Sequence, residues 1–412
     1  MRFADWITTL TPDGRLLFAT RCVRLFAYGF LSVVLVLYLK EAGLDEGRIG
    51  LLLTLTLLGD TAVSLWITTT ADRIGRRKML IIGAVLMLYA GAVFALTSNF
   101  WWLLIAATIG VISPSGNEVG PFLSIEQAAL SQTVPAERHT QIFAWYNLVG
   151  SLATAAGSLC GGAVTQWVQG LGATAADSYR TVVIGYAAFG LILTLAFVRL
   201  TPAAEIHATG ARPARFGLHR STRVVLKLSA LFALDAFGGG FVIQSIMAYW
   251  FYVRYDVEPA AIGAIFFGAN ILAGVSALMA VRVAKRIGLI NTMVVTHVPS
   301  NILLILVPLM PNLPLAIVVL LLRFAISQMD VPTRQAYTMA VVSPEERSAA
   351  SGVTGVARSV GASVSPLLAA LCFTTPTLWN APFFLAGGIK LVYDGLLYWN
   401  FAAVSRREDR GG

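Results

Sequence analysis

The sequence predicts an all-α membrane protein, with twelve transmembrane helices in two pseudo-symmetric six-helix bundles. Three observations lead there: a composition too apolar for water, twelve apolar stretches of membrane-crossing length, and two halves that repeat each other. Of 412 residues, 57% are apolar and only 12% charged, with a mean hydropathy of +0.74. A soluble domain carries roughly 25% charged residues, so there is too little polar surface to cover a soluble globule of this length. The same figures exclude disordered and collagen-like chains. Cys22, Cys160 and Cys372 are odd in number, far apart and set in apolar runs. They read as small buried hydrophobes, not as a disulfide framework or a metal site. His139, His207, His219 and His297 have no metal-ligand spacing, so no metal and no cofactor are expected.

A hydrocarbon core of ~30 Å needs about 20 helical residues. Twelve stretches have that length: 16–39, 48–70, 79–97, 101–131, 140–168, 181–200, 225–252, 260–281, 291–310, 315–342, 349–372 and 383–404. Asp5 and Asp13 interrupt the N-terminus before the first long apolar run, so no cleavable signal peptide is expected. Residues 201–224, with Arg212, Arg215, Arg220 and Arg223, form a cytoplasmic linker between an N-terminal bundle (1–200) and a C-terminal bundle (225–412).

The net charge of +9 could suggest nucleic acid, but its distribution indicates membrane orientation. With the N-terminus inside, 20 of the 30 Lys and Arg residues fall in cytoplasmic segments. Only Lys40, Arg48, Arg180 and Arg254 fall outside, and six lie within spans. That is the positive-inside asymmetry, and an even span number puts the C-terminus inside as well.

The repeat appears in equivalent places of the two halves. Ala71-Asp72-Arg73-Ile74-Gly75 follows the second span, and Ala284-Lys285-Arg286-Ile287-Gly288 follows the eighth. Glu126-Gln127-Ala128 and Pro135-Ala136-Glu137-Arg138 end the fourth span. Arg334-Gln335-Ala336 and Pro344-Glu345-Glu346-Arg347 end the tenth. The offsets are 213, 208 and 209 residues. Two such repeats suggest a rocking carrier with its site at their interface.

On these residues the chain resembles the major facilitator superfamily. Asp72-Arg73-Ile74-Gly75-Arg76-Arg77-Lys78 is similar to that family's signature loop, although Thr68 stands where a leading Gly is usual. The resemblance implies a latch, in which Asp72 meets charges and a helix N-terminus of the other half and holds the inside closed; acids are favoured at helix N-termini. Gly157-Ser158-Leu159-Cys160-Gly161-Gly162 in the fifth span resembles the Gly-Pro-x-x-Gly-Gly motif of the family's antiporter branch, with Ser158 in place of the Pro. Generic helix packing is the competing reading of those small residues.

Twelve ionisable residues lie within spans: Arg21, Arg24, Asp60, Glu118, Glu126, Asp235, Arg323, Asp330, Arg334, Arg358, Lys390 and Asp394. Each costs roughly 2.5–3.5 kcal/mol at a helix centre, so they should face one another or water. The resemblance implies that the first, fourth, seventh and tenth spans line the cavity, and eight of the twelve lie there. Lys390 and Asp394, four residues apart, are expected to neutralise each other. Glu126 and Arg334 are expected to close an inner gate together with Asp72, Arg73, Gly75 and Arg76.

Glu118 lies in Ser113-Pro114-Ser115-Gly116-Asn117-Glu118-Val119-Gly120-Pro121, a stretch that breaks its helix. Irregular backbone at membrane depth is tolerated against protein or a wet cavity. Glu118 is therefore either a proton carrier or a structural partner of Asn117, Arg21 or Arg24, and Asp235 is the second proton-coupling candidate. Arg21, Arg24, Tyr28, Asn117, Tyr146, Asn147, Arg323, Asp330 and Tyr337 are the candidates for contact with substrate.

The expected function is secondary active transport by alternating access, as proton-coupled efflux of a small organic molecule. The alternative is uptake of an anionic metabolite held by Arg21, Arg24 and Arg323. A membrane-embedded enzyme or receptor on a carrier scaffold is disfavoured, because the spans hold no metal motif and no Ser/His or Cys/His constellation. The expected partners are a small-molecule substrate, protons and the lipid bilayer, with no nucleic acid, and the protein is expected to be a monomer. Compact loops and the absence of an N-x-S/T sequon fit a prokaryotic inner membrane.

Overall fold

The computed structural model describes residues 10–118, 120, 122–133, 139–201, 220–343 and 346–408, and gives no side-chain environment at 72, 131–133, 139–141, 348 and 402–408. Among the described residues the regular structure is helical. The helices are α1 (Pro12–Ser32), α2 (Leu35–Glu41), α3 (Glu46–Ile74), α4 (Arg76–Leu96), α5 (Phe100–Ile109), α6 (Phe122–Thr133), α7 (His139–Gly170) and α8 (Ala175–Val198). They continue as α9 (Thr222–Gly240), α10 (Gln244–Tyr255), α11 (Pro259–Ile287), α12 (Leu289–Leu306), α13 (Leu313–Ser327), α14 (Asp330–Ala340), α15 (Arg347–Cys372) and α16 (Ala381–Glu408).

Each of the twelve expected spans overlaps one or more of these helices. Among the described residues, nine helical stretches are long and apolar enough to cross a bilayer, and α1 with α2, bent by 46°, makes a tenth. The other two expected spans depart from that pattern for polar reasons. The fourth is split into α5 and α6 by an irregular segment, and the twelfth, α16, has Lys390 and Asp394 interrupting its apolar run.

Helix starts follow local chemistry. Thr11 accepts from the Gly14 amide at 3.1 Å ahead of Pro12, Asp45 from the Arg48 amide at 2.8 Å, and Asn312 from the Leu315 amide at 3.1 Å. Each satisfies an amide that the first helical turn leaves open.

The chain forms two compact units, 1–211 with 247–267, and 212–246 with 268–412. In the first, α1 packs on α7 at backbone distance. A Cβ on Gly157 would lie 2.0 Å from the Phe26 carbonyl oxygen, and one on Gly161 2.2 Å from that of Phe30. The antiporter-like motif is thus a packing seam in this unit. In the second unit α9 packs on α15 in the same manner, with Gly361 set 2.3 Å, as a Cβ, from the Ala233 oxygen.

The same repeat is visible in the backbone turns. Gly75 between α3 and α4 has φ +112°, and Gly288 between α11 and α12 has φ +82°, a region that suits glycine. Each donates its amide four residues back, to Ala71 and Ala284, at 2.9 Å. Glu346, from the second copy of the Pro-x-Glu-Arg motif, accepts from the Arg220 and Ser221 amides at 2.9 Å each at the start of α9. Its counterpart at 135–138 lies outside the described residues.

Candidate functional site

In the first unit, α1 places Arg21 and Arg24 three residues apart on one face. Between α5 and α6 the chain leaves the helix, with Gly116 at φ +69° and Gly120 at φ +81°. The carbonyls freed by that break find donors. Tyr186 Oη reaches Val111 O at 2.7 Å, Ser113 Oγ reaches Asn117 O at 2.7 Å, and Thr154 Oγ1 reaches Gly116 O at 3.3 Å. The broken segment is therefore held in place.

That geometry positions Glu118 between the two arginines. Arg21 Nη1 donates to Glu118 Oε2 at 2.7 Å and Arg24 Nε to Glu118 Oε1 at 3.0 Å. Arg24 also makes a two-pronged pair with Glu126 on α6, at 2.6 and 2.7 Å, the geometry in which guanidinium and carboxylate bind most strongly. Glu126 further accepts from Tyr146 Oη and from Thr20 Oγ1. Arg21 donates to the Tyr146 carbonyl at 2.8 Å and to Asn147 Oδ1 at 3.3 Å, and its guanidinium lies 4.2 Å from the Tyr146 ring centroid. Two cations face two carboxylates. The Arg24 and Glu126 side chains are fully buried, while Glu118 is 17% exposed.

In the second unit the acids and bases come from four helices. Asp235 on α9 accepts from Lys390 Nζ on α16 at 2.6 Å and from Arg334 Nη1 on α14 at 3.1 Å. The same Arg334 nitrogen reaches Asp330, one turn earlier on α14, at 2.9 Å. Asp394 on α16 is bonded by His297 Nδ1 at 2.7 Å and Asn301 Nδ2 at 2.9 Å, both on α12. The expected Lys390–Asp394 neutralisation along α16 is therefore corrected: Lys390 reaches across to Asp235, and Asp394 is served by α12. Three buried acids can each be satisfied only if the donors are spread over several helices.

The two networks are related by the repeat. Phe26-x-x-Gly29-Phe30 on α1 recurs as Phe237-x-x-Gly240-Phe241 on α9, an offset of 211 residues, and the same offset carries Arg24 onto Asp235. Glu126 and Arg334 already match at an offset of 208. The ion pair of the first unit recurs in the second with its charges exchanged.

The remaining candidates are placed as follows. Tyr28 is buried, its ring beside Tyr186 with 6.5 Å between centroids. Asn117 and Asn147 are exposed. Tyr337 is buried in an apolar cluster with Phe232, Met293 and Tyr393. Arg73 is exposed and Arg76 buried, while the Asp72 side chain lies outside the described residues. Glu126 and Arg334 each have partners inside their own unit. Arg323, on α13, is buried beside the Phe324 ring, and its Nε has no acceptor among the described residues. The Nε of Arg358 on α15 is likewise without one. Sequence reasoning missed His297 and Asn301. Their signal was present: two polar residues one helical turn apart inside an apolar span, the pattern that marks intramembrane chemistry.

Comparison with known proteins agrees with this architecture. The sequence profile of the Major Facilitator Superfamily matches residues 17–329 and 236–411. An uncharacterized membrane protein of Saccharomyces cerevisiae, YJR124C, is 30% identical, covering 96% of this chain and 95% of its own. The quinolone resistance protein NorA of Staphylococcus aureus is 33% identical over 85 residues, 21% of this chain and 22% of its own. Among solved structures, a bacterial homolog of the human lysosomal transporter Spinster superposes with TM-score 0.72 at 16% identity, covering 94% of this chain and 95% of that one. The nucleoside transporter NupG does so with TM-score 0.70 at 14% identity, covering 95% and 99%. The repeated halves, the charged spans and the profile match along the chain agree: this multi-pass membrane protein belongs to the Major Facilitator Superfamily of transporters.

Proposed function

We propose that this carrier exports a small organic molecule in exchange for protons, by alternating access, with Glu118 and Asp235 as the coupling acids. The observation that carries the reading is the setting of Glu118, which is bonded to both Arg21 and Arg24 yet partly exposed, beside a fully buried Glu126. A carboxylate shared by two cations is a switch. Protonating it leaves Arg21 without a carboxylate partner, while Arg24 keeps Glu126. Asp235, held by Lys390 and Arg334, has the same character.

The stretch of similarity to a quinolone resistance protein supports efflux. The excess of Lys and Arg in alternate loops supports cytoplasmic termini. An inner-membrane location and a monomeric carrier without catalytic activity complete the reading. The test is an internal pH dye in proteoliposomes under an imposed pH gradient, with lipophilic cations, neutral drugs and organic anions added in turn. A proton leak evoked by one class, and lost in Glu118→Gln, is the expected result.

One observation favours the second reading, uptake of an anionic metabolite. Arg21 and Arg24 are engaged by glutamates, whereas the Arg323 Nε is buried without an acceptor. In that case organic anions are taken up, and Arg323→Ala abolishes the uptake.

A further inference from the structure

We infer that His297 is a proton-carrying residue of this transporter, accepting and releasing a proton between Asp394 and Asp235; the inference rests on the proton-coupled reading above. The geometry is that of a bridge. His297 Nδ1 lies 2.7 Å from Asp394 Oδ1, and Nε2 lies 3.6 Å from Asp235 Oδ1. Each ring nitrogen thus faces a carboxylate, and carboxylates only accept. A neutral imidazole has one N–H and can satisfy one of them, whereas the imidazolium has two and can satisfy both. The ring is 6% exposed, and when Nε2 carries no proton Asp235 keeps Lys390 and Arg334 as its donors.

Charge counting is compatible with either form of the ring. Asp235, Asp330 and Asp394 are three buried acids, and Arg334 and Lys390 are the two fixed cations bonded among them. Protonated His297 makes three and three. The more distant Arg358 acts on Asp235 and Arg334 and Arg323 acts on Asp330, and with them the three acids are balanced when the ring is neutral. Both states are thereby accessible, which a carrier of protons requires.

The groups around the ring are accounted for from each helix packed on it. From α12 itself, Asn301 Nδ2 holds the second Asp394 oxygen and keeps that carboxylate in place whether or not the ring is charged. From α16, the Tyr393 ring stands edge-on at 5.8 Å between centroids, and Lys390 bonds the same Asp235 oxygen that faces Nε2. From α14, Arg334 and Asp330 complete the chain of pairs, and α13 contributes Arg323, which acts on Asp330. Asp235 and Asp330 are filled by Lys390 and Arg334, so a metal ion there would have to displace fixed cations; protons need not. Gain of a proton forms one N–H bond and adds one positive charge, which strengthens the hold on Asp235 in competition with Lys390. Passing the Nδ1 proton to Asp394, 2.7 Å away, breaks that N–H bond, forms an O–H bond on the carboxyl group, and returns Asp235 to Lys390 and Arg334.

The test uses full-length protein in liposomes. Solid-state ¹⁵N spectra of histidine-labelled protein separate the imidazolium from the neutral tautomers, and the His297 signals are those missing in His297→Gln. Both the imidazolium and a neutral form are expected among those signals, because each ring nitrogen faces a carboxylate. Substrate-evoked proton movement, measured as above with the active member of the panel, should fall at least tenfold in His297→Gln, while substrate exchange across the membrane continues. Asp394→Asn, which keeps the shape of the site, should weaken coupling in the same direction. If the spectra hold one form alone, the inference is overturned. Coupling in His297→Gln equal to that of the wild type would also overturn it, with the proton-coupled reading left standing. No evoked proton movement in the wild type would instead remove the proton-coupled reading, and this inference would go with it.

Discussion

Arg24 and Asp235 occupy equivalent places in the two repeats and carry opposite charges. Each is bonded to the residue that the repeat pairs with the other's partner: Arg24 to Glu126 at 2.6 Å, and Asp235 to Arg334 at 3.1 Å. The attraction within an ion pair does not depend on which helix holds the cation. The repeat can therefore keep the contact between its first and fourth spans while reversing its polarity, giving one bundle a cationic first span and the other an acidic one.

Truncating one member of the buried pair should be far worse than removing both. Arg24→Met strands Glu126 without its cation, at a cost of about 3–5 kcal/mol. Arg24→Met with Glu126→Leu should recover most of that loss, because Glu118 keeps Arg21. Thermal unfolding of the purified protein in detergent checks the order of the two variants. A double variant no more stable than the single one would contradict the pairing.

Glu118→Gln keeps the side-chain shape and its position between Arg21 and Arg24 but cannot ionise. Coupling to the pH gradient should be lost while substrate exchange survives. Transport that stays fully gradient-driven in this variant would assign Glu118 a structural role and move Asp235 to first place.

The partner of Lys390 can be identified by a double-mutant cycle. Loss of stability in Lys390→Met should be relieved by Asp235→Leu and not by Asp394→Leu, with a coupling energy of about 0.5–3 kcal/mol for the first pair. Equal relief by both would mean that the lysine divides itself between the two acids.

Gly157→Leu or Gly161→Leu should prevent the close approach of α7 to α1, since even a Cβ would meet the Phe26 or Phe30 carbonyl. The expected outcome is loss of folded protein on size-exclusion chromatography. Gly170→Ala, where nothing lies within 4 Å, should elute like the wild type.

For the loop at Asp72, the reading as a latch predicts that Asp72→Asn slows turnover while insertion is unaffected. Gly75→Ala should cost about 1 kcal/mol from its positive φ alone. Transport rates per inserted molecule separate the two effects, and an unchanged rate in Asp72→Asn would remove the latch.

Much of the fold was legible because its causes are local along the chain. The membrane class follows from composition, and the spans follow from runs of apolar residues. The twofold repeat was legible from Ala71–Gly75 and Ala284–Gly288, whose glycines both adopt positive φ in the folded chain. The break at Glu118 was legible too, because Pro and Gly disrupt a helix wherever they stand. Its extent, from the end of α5 at Ile109 to the start of α6 at Phe122, was not.

What the sequence by itself determined, then, is which residues leave water and where polar groups are forced into the membrane. Which of those groups meet was decided by the tertiary structure alone. Lys390 stands four residues from Asp394 and still bonds Asp235, 155 residues away in sequence. His297 and Asn301, one helical turn apart on another span, hold the acid that Lys390 leaves. The reason is physical: a buried carboxylate is stabilised only by donors within about 3 Å, and packing of helices, not spacing along one of them, sets those distances.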